Sequence, residues 1–372
     1  MDLAEFLRQF PEVRLVRSEA EDERVREFFN SAPMKGEGLG LLYRRRPHFR
    51  SLLDAHSERH FVFYVGDDGT VEGAGTLVLR PALQHGKKID VGYLGDLRVE
   101  NIRRWGKLWR NFYSGLLTQL QQIDEFAQVR YLLTALMKQN EIAHAALARS
   151  PLGYHLLRRY RMVNLLRRWG PVPNTFQVRR WAELAHSELK TFYQRNQTQT
   201  PLAWVVDDEH DELRHRLQNW PGVRPEDALV LSDSSGVVAS CLLWDPSAVK
   251  AMVVRNYPKK LRWAYLFLAA IKVLPRENEE LRLLYVTSLV LREGLSPGLR
   301  QKAMRQIARI ASARARQRRM HGATLAEFEG NEYDLRPFIT QKTDLELYLV
   351  DPRRNPVPDF SGQIPAFEMG LV

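Results

Sequence analysis

The order of predicted elements repeats along this chain of 372 residues, and the repeat limits the possible folds more than any other feature. Two hairpin turns, which end at Gly69 and Gly236, each join a pair of β-rich segments, and the two glycines are 167 residues apart. The strands that follow end at Val99 and Val290, which are 191 residues apart. Landmarks in the same order and at similar separations predict two copies of one α/β unit.

A third pair of landmarks supports this duplication. Asn140 and Asn331 close the next predicted strands and are again 191 residues apart. The increase in spacing from 167 to 191 residues matches an extra apolar helix that is predicted over residues 257–274 and that the first copy lacks. A Gly-Pro-Val-Pro sequence at residues 170–173 indicates a linker. We therefore predict domains over residues 1–170 and 171–372, a length sufficient for two hydrophobic cores.

The composition limits the cellular compartments in which we expect the protein and the classes of ligand that it could bind. No apolar run approaches the ~20 residues that a membrane-spanning helix needs. The N-terminus carries acids and lacks the apolar core of a signal peptide, and the single cysteine, Cys241, excludes a disulfide framework and a Cys-cluster metal site. We therefore expect a cytoplasmic protein. The net charge of +11 predicts attraction to anions such as coenzyme A, acidic proteins, nucleic acid or anionic membranes.

Histidines do not suggest a metal site either. Only His56 and His60 have the spacing of two ligands on one helix, and no acidic third ligand is near them in the sequence. We therefore predict that the chain binds no metal.

Residues 91–120 predict a strand, a tight turn and then an amphipathic helix. Leu97 and Val99 alternate with Asp96 and Arg98, so the two pairs face opposite sides of the strand. The first helical amides have no partner within a helix, and the helix dipole makes that end positive. Basic side chains in the first turns complete a pattern that is typical of a phosphate site: Arg103, Arg104, Lys107 and Arg110. The alternative is a surface helix with a solvated basic end.

Two adjoining segments resemble the coenzyme A motif of the GNAT N-acetyltransferase superfamily: Asp96-Leu97-Arg98-Val99 and Arg103-Arg104-Trp105-Gly106-Lys107-Leu108. The family motif reads roughly Gln/Arg-x-x-Gly-x-Gly/Ala after an Asp-Leu-x-Val strand. Arg103 and Gly106 match it, and Leu108 stands where a small residue is usual. The resemblance implies the α/β (α+β) class, with two tandem GNAT-like domains that each have a mixed, mostly antiparallel central sheet flanked by helices.

The resemblance also implies a cofactor, acetyl-CoA or another acyl-CoA. In the family, two parallel strands diverge and the opened backbone binds the pantetheine arm like an added strand. The start of the next helix then binds the pyrophosphate. Asn140 matches a position that contacts the arm, although an Asn before Glu141 is also a good helix N-cap. The implied cofactor-binding residues are Leu97, Arg98, Val99, Arg103, Arg104, Trp105, Gly106, Lys107, Leu108 and Asn140.

Acyl transfer to an amine requires a base for the proton of the amine and an acid for the leaving thiolate. Asp96 and Glu100 lie beside the implied thioester position, so either is a candidate base; the alternative for Asp96 is an ordinary strand carboxylate paired with an arginine. Many family members supply a tyrosine acid seven residues after the asparagine, where this chain has Leu147. Tyr154 is the nearest tyrosine and our candidate acid, with a packing role as its alternative, and Tyr93 is a weaker candidate.

The second copy lacks the motif. Its helix near residues 297–320 is rich in arginine, its glycine comes early at Gly298, and its strand carries no acid. We interpret it as a degenerate copy that shapes either the acceptor site or the interface between the copies. The basic face is either a solvated surface or a site for a phosphate-rich partner. We therefore predict an acyl-CoA-dependent N-acyltransferase that acts on a small-molecule, peptide or other amine. The alternatives are a non-catalytic acyl-CoA sensor and a nucleic-acid-docking module.

Overall fold

The computed structural model describes residues 1–31, 40–67, 69–148, 153–197, 200–257, 262–270, 273–351, 360, 365–367 and 370. The helices within these residues are α1 (Leu3–Leu7), α2 (Glu19–Ser31), α3 (Ser51–His56), α4 (Ile102–Gln119), α5 (Glu141–Ala143), α6 (His186–Asn196), α7 (Glu212–Asn219), α8 (Arg262–Ala270) and α9 (Pro297–Gln317). The strands are β1 (Arg14–Leu15), β2 (Gly40–Arg45), β3 (His60–Val65), β4 (Gly73–Gln84), β5 (Lys87–Val99), β6 (Val129–Met137), β7 (Tyr154–Arg168), β8 (Gln177–Arg180), β9 (Ala203–Trp204), β10 (Ala228–Asp233), β11 (Gly236–Trp244), β12 (Lys250–Asn256), β13 (Leu283–Leu291), β14 (Gly322–Phe328) and β15 (Phe338–Val350).

One long sheet runs through both halves of the chain. Its strand order is β1-β3-β4-β5-β6-β15-β7-β14-β13-β11-β10-β8, and β9 pairs with β4. Most neighbours are antiparallel, whereas β5 with β6 and β13 with β14 are parallel. The two parallel pairs occupy corresponding places on either side of the centre, as a duplicated unit requires. The structure thus has the predicted mixed α/β class with a mostly antiparallel sheet.

The last strand of each half pairs within the other half. β7, from the first half, lies between β14 and β15 of the second. β15, from the second half, lies between β7 and β6 of the first. The division into domains over residues 1–170 and 171–372 stays a prediction. Backbone hydrogen bonds join the two parts, because β7 pairs with strands of the second half and β15 pairs with strands of the first.

One long helix covers each half of the sheet. In α4 the buried side chains recur at helical spacing, and Phe112 lies among the rings of Phe6, Phe10, Phe63 and Trp109. In α9 the buried side chains are mostly small, which lets this helix pack closely on β13 and β14. The opposite face of the sheet carries a separate two-stranded sheet formed by β2 and β12. This small sheet takes one strand from each half.

Two segments differ from what their sequence predicts, and one strand is not predicted. The sequence of residues 41–56 predicts a helix, but the segment forms β2 and the short α3 because Pro47 interrupts it. The sequence of residues 81–88 predicts a connection, but these residues continue β4 into β5. Pro81 is tolerated there because its paired strand β3 has already ended opposite Val78. Strand β12 is not predicted, since its apolar run resembles the neighbouring helix segment.

The exchange of β7 and β15 predicts that neither half folds alone. Residues 1–170 on their own would leave β7 without both of its partners and one edge of β6 uncovered. We expect each separately expressed half to lack a cooperative thermal transition in circular dichroism, and the co-expressed halves to regain one.

A matched control keeps the composition constant. The full chain, cut by a protease at a site inserted after Gly170, should remain associated and unfold as a single unit. A cooperative transition for residues 1–170 alone would contradict the prediction.

Candidate active site

The parallel strands β5 and β6 separate toward their carboxyl ends. Their pairing runs from Asp90 with Val129 to Tyr93 with Leu133, although in the described chain β5 continues to Val99 and β6 to Met137. Just past the last pair, the hydroxyl of Thr134 donates to the carbonyl of Leu94 at 2.8 Å. The inner edges beyond this point offer backbone donors and acceptors to an extended ligand. We call this opening the fork.

A bulge in β5 lies beside the fork. Asp96 adopts φ +51°, and the register between β4 and β5 slips between Ala74 and Thr76. Leu97 lies next to Trp109 of α4, and Val99 packs in the same core. Asp96 points to the opposite face, where its carboxylate accepts a hydrogen bond from Thr76 at 3.4 Å. The predicted alternation of Asp96 with Leu97 is therefore confirmed.

An arginine holds the Asp96 carboxylate. Arg45 Nη2 lies 2.5 Å from Asp96 Oδ1, and the side chains are 7% and 13% exposed. Arg45 ends β2, the first-half strand of the two-stranded sheet. Within the described residues Arg45 Nη1 is buried and makes no hydrogen bond. A buried guanidinium nitrogen without an acceptor is costly, so this position calls for an explanation beyond packing.

The second half adds a buried lysine to the same place. Lys250, on β12, is directly opposite Arg45 in the register of the two-stranded sheet and is 4% exposed. Its Nζ lies 5.2 Å from the centre of the Tyr43 ring and 6.0 Å from that of Tyr285. Burial, together with the positive charge of Arg45, lowers the pKa of Lys250 to about 7 against the opposing effect of Asp96.

Tyrosines complete this buried polar group. Burial raises the pKa values of Tyr93 and Tyr285, and the negative charge of Asp96 raises that of Tyr93 further. Burial raises the pKa of Tyr160 as well. In the described part of the chain, the hydroxyls of Tyr160 and Tyr285 make no hydrogen bond. Such groups are costly to bury, and a polar ligand would satisfy them.

The helix start beside the fork retains free amides. Asn101 caps α4 and accepts from the amide of Arg104 at 3.2 Å, while the amides of Ile102 and Arg103 make no bond to the described residues. Arg104 itself forms two bonds to Asp67, at 2.7 and 2.6 Å. The α4 N-terminus therefore has unused donors, whereas the Arg104 charge is already paired.

Gly106 lies in the first turns of α4, next to the exposed side chain of Ile102. A Cβ at Gly106 would meet only the side chain of Ile102, at 3.1 Å. Trp105 is buried and donates its indole N–H to Glu72, and Leu108 packs against the first core. Lys107 is exposed. The bulk of Leu108 and Trp105 thus lies away from the position where an anion would bind.

Other predicted site residues have structural partners. Asn140 caps α5 by accepting from the amide of Ala143 at 3.1 Å. Arg98 donates to the carbonyl of Phe29 at 2.9 Å and so binds α2 to the sheet. Glu100 is exposed at the end of β5. These positions are close to the fork, and Asn140 has the capping role given as its alternative.

Tyr154 does not lie with the predicted base. It is buried in the core beneath α4, where it contacts Tyr348, whereas Asp96 points to the opposite face of the sheet. Burial also raises the pKa of Tyr154. The packing role is the one that the structure supports, because the sheet separates this hydroxyl from the Asp96 carboxylate.

The corresponding site in the second half is filled by its own side chains. β13 separates from β14 after Tyr285, and Ser288 there has φ +52°, as Asp96 has in β5. Arg216 donates to the Ser288 hydroxyl at 2.8 Å, and Tyr193 donates to the Ser288 carbonyl at 2.8 Å. A satisfied hydrogen-bond network therefore occupies the place that stays polar and unsatisfied in the first half.

Sequence reasoning missed Arg45 and Lys250. Arg45 was assigned to a helix, and Lys250 lies within an apolar segment that was given no element. A single lysine within such a run is a signal of a buried cation, since lysine is rarely buried unless it has a role. Its proximity to Asp96 depends on the pairing of β2 with β12, which local sequence patterns do not reveal.

Comparison with known proteins places this fold. No protein-family model and no curated protein matches the sequence. Saccharomyces cerevisiae N-myristoyltransferase with bound myristoyl-CoA has a similar structure, with a TM-score of 0.56, 11% identity, and coverage of 91% of this chain and 79% of the yeast chain. A second structure of that enzyme has a TM-score of 0.55 and 12% identity, and the match covers 91% of this chain and 83% of the yeast chain. A GCN5-related N-acetyltransferase from Sphaerobacter thermophilus has a TM-score of 0.49 and 12% identity, and the match covers 79% of this chain and 80% of that one.

At this level of identity, the similarity to the yeast structures is a similarity of fold. It confirms the GNAT-type architecture that the motif in β5 and α4 implied. No helix of the described residues is long and apolar enough to cross a membrane.

Burial of Lys250 gives a prediction for stability. Because its pKa falls from 10.5 to about 7 on folding, the unfolded chain binds more protons between these pH values. The contribution of this lysine to the free energy of unfolding should therefore rise with pH in that window, by up to about 1.4 kcal/mol per pH unit. Below about pH 7, the full penalty of burying the charge applies.

The variant Lys250→Met removes the titrating amine and keeps a long side chain at this position. The unfolding free energy of the wild type minus that of the variant, measured by urea titration from pH 6 to 10, should increase with pH. Lys88→Met, which removes an exposed lysine paired with Asp207 and Glu209, should show no such increase. If the difference in unfolding free energy between the wild type and Lys250→Met did not change with pH, the lowered pKa of Lys250 would be contradicted.

Proposed function

We propose that this protein transfers an acyl group from acyl-CoA to an amine. The observation that supports this most strongly is the combination of the fork with the α4 N-terminus on one side and a buried Asp96–Arg45–Lys250 group on the other. The fork and the helix N-terminus match the requirements of a pantetheine arm and a pyrophosphate. The Asp96–Arg45–Lys250 group supplies side chains that hold and move a proton. The fold similarity to an N-acyltransferase agrees with this proposal.

The residues present fit coenzyme A. We propose that the main chain of Leu97 and Val99, on the free edge of β5, binds the pantetheine arm. The amides at Ile102 and Arg103, with the exposed Lys107, would bind the pyrophosphate. Among the residues implied by the motif, Arg98, Arg104, Trp105, Leu108 and Asn140 would shape this site through the contacts described above.

A cavity beside the fork is the proposed place for the acyl group. Gly92, Tyr93 and Leu133 line it from the first half, and Trp204 and Phe367 line it from the second. The charged side chains of Arg80, Glu212 and Arg216 also line it. Acetyl is the group predicted from the motif, and the yeast structure holds myristoyl-CoA. Transfer rates with acetyl-, octanoyl- and myristoyl-CoA would identify the preferred chain, since a pocket of limited size discriminates by chain length.

The proposed chemistry uses the polar group on the Asp96 face. The thioester supplies an activated acyl carbon, to which the amine nitrogen bonds while the carbon–sulfur bond breaks and coenzyme A leaves as a thiol. Lys250 in its neutral form accepts the proton that the amine loses and, as the ammonium, returns it to the departing thiolate sulfur. Asp96, held by Arg45 and Thr76, orients the incoming amine by accepting a hydrogen bond from it. The acceptor would be a small molecule or a peptide.

A glycine substitution tests the cofactor site. Gly106→Trp would place an indole over the helix start and should weaken acetyl-CoA and myristoyl-CoA binding at least about a hundredfold, as measured by calorimetry. Gly298→Trp is the matched control, because a Cβ at Gly298 in α9 meets nothing within 4 Å. Equal affinity in Gly106→Trp and wild type would show that the pyrophosphate site is elsewhere.

A second test addresses the proton acceptor. Lys250→Met should lower kcat by about 10²-fold or more and abolish a rise of kcat/KM with an apparent pKa near 7. Thiol release with amine acceptors is the measurement, and Lys88→Met should behave as wild type. An unchanged pH profile in Lys250→Met would exclude this lysine as the base.

The same measurements separate the alternative functions. Acyl-CoA binding without thiol release for any amine would favour a sensor. Nucleic-acid docking has less support, because Arg300 and Arg305 of α9, and Arg318 directly after it, bind Asn331, Asp334 and Asp227 of the same chain. Those arginines are therefore not free to bind phosphates.

A further inference from the structure

Helix α8 exposes large apolar side chains to solvent. Trp263, Leu266 and Phe267 are 86%, 40% and 64% exposed. Their spacing places them on one face, since residues three and four apart are neighbours on a helix. On the other side, Leu268 packs against the core cluster that contains Tyr257. One apolar face of the helix therefore packs against the core, and a second apolar face is exposed to solvent.

This exposure is not required by the fold. Burying a large apolar side chain is favourable by about 1.5–3 kcal/mol, so an outward-facing Trp and Phe one turn apart forgo a substantial gain. The helix belongs to the segment between β12 and β13 that the first half lacks. An exposed apolar face on an added segment indicates a binding surface.

The charge around α8 points to the occupant. Between residues 255 and 276 the sequence contains no Asp or Glu, and its basic residues are Arg255, Lys259, Lys260, Arg262, Lys272 and Arg276. A short helix with exposed Trp, Phe and Leu and with basic flanks matches the requirements of the boundary between lipid headgroups and acyl chains. Each basic residue near an anionic leaflet adds attraction.

We propose that α8 docks the protein on an anionic lipid bilayer. Trp263, Leu266 and Phe267 enter the interface, and the net positive charge of the sequence over residues 255–276 adds attraction to the anionic headgroups. This inference stands apart from the proposed transferase activity, because it concerns a different surface and requires no acyl-CoA.

Vesicle sedimentation tests the proposal. The full chain should pellet with vesicles of phosphatidylcholine and phosphatidylglycerol at roughly 3:1, and much less with phosphatidylcholine alone. Raising the salt from about 0.1 M to about 1 M should release it. Failure of the wild type to bind the anionic vesicles would overturn the proposal.

Variants locate the contact. Trp263→Glu with Phe267→Glu should lower the partition coefficient at least about tenfold. Val178→Glu is the matched control for the single variant Trp263→Glu, because Val178 on the edge strand β8 is 41% exposed and each of these substitutions adds one negative charge. Trp263→Glu alone, at a largely exposed position, should weaken binding with an unchanged melting temperature.

The remaining outcomes also decide the question. Equal vesicle binding by the double variant and the wild type would overturn the proposal. A wild-type dimer in sedimentation velocity that the double variant converts to a monomer would assign the face to a second copy of this chain, and would also overturn it.

Discussion

The pairing of β7 with β15 at the centre of the sheet is the interaction on which the rest of the structure depends. Each of these strands is the last of its own half and binds a strand of the other half. These hydrogen bonds join the backbones of the two halves along a whole ladder, so we expect the halves to fold as one unit. The position of β2 against β12 follows from this fixed relation, and with it the position of Arg45 beside Lys250.

The two halves differ in a way that the hydrogen bonds make visible. Both have a parallel pair of strands that separates and a residue with positive φ at the bulge. In the second half, Tyr193 and Arg216 satisfy the bulge at Ser288. In the first half, Arg45 holds Asp96. The hydroxyls of Tyr160, from this half, and Tyr285, from the second, stay without partners in the described structure. Buried polar groups without a partner call for an explanation, and a functional role is one of them.

Much of the fold could be predicted from local pattern. The strands His60–Val65 and Val129–Met137, the helix after Asn101 and the hairpins at Gly69 and Gly236 follow from alternation, spacing and turn residues. The side of the strand on which Asp96 lies also followed from alternation. The motif in α4 depends on consecutive residues, so a single sequence was enough to find it.

The remainder depends on contacts between distant segments. Arg45 and Lys250 are far apart in sequence, and only the pairing of β2 with β12 brings them together. Tyr154 was a candidate acid because it is near the motif in sequence, but the sheet lies between it and Asp96. The exchange of β7 and β15 was likewise invisible, since strand order is set by long-range packing and not by the residues of one strand.

The shared sheet also restricts how a substrate could enter. In an enzyme of two separate domains, the domains rotate about a hinge and open the cleft between them. Here such a rotation would have to break the ladder between β7 and β15, which spans thirteen register pairs from Phe338 with Arg168 to Val350 with Tyr154. Any route into the space between the halves must therefore leave this ladder intact.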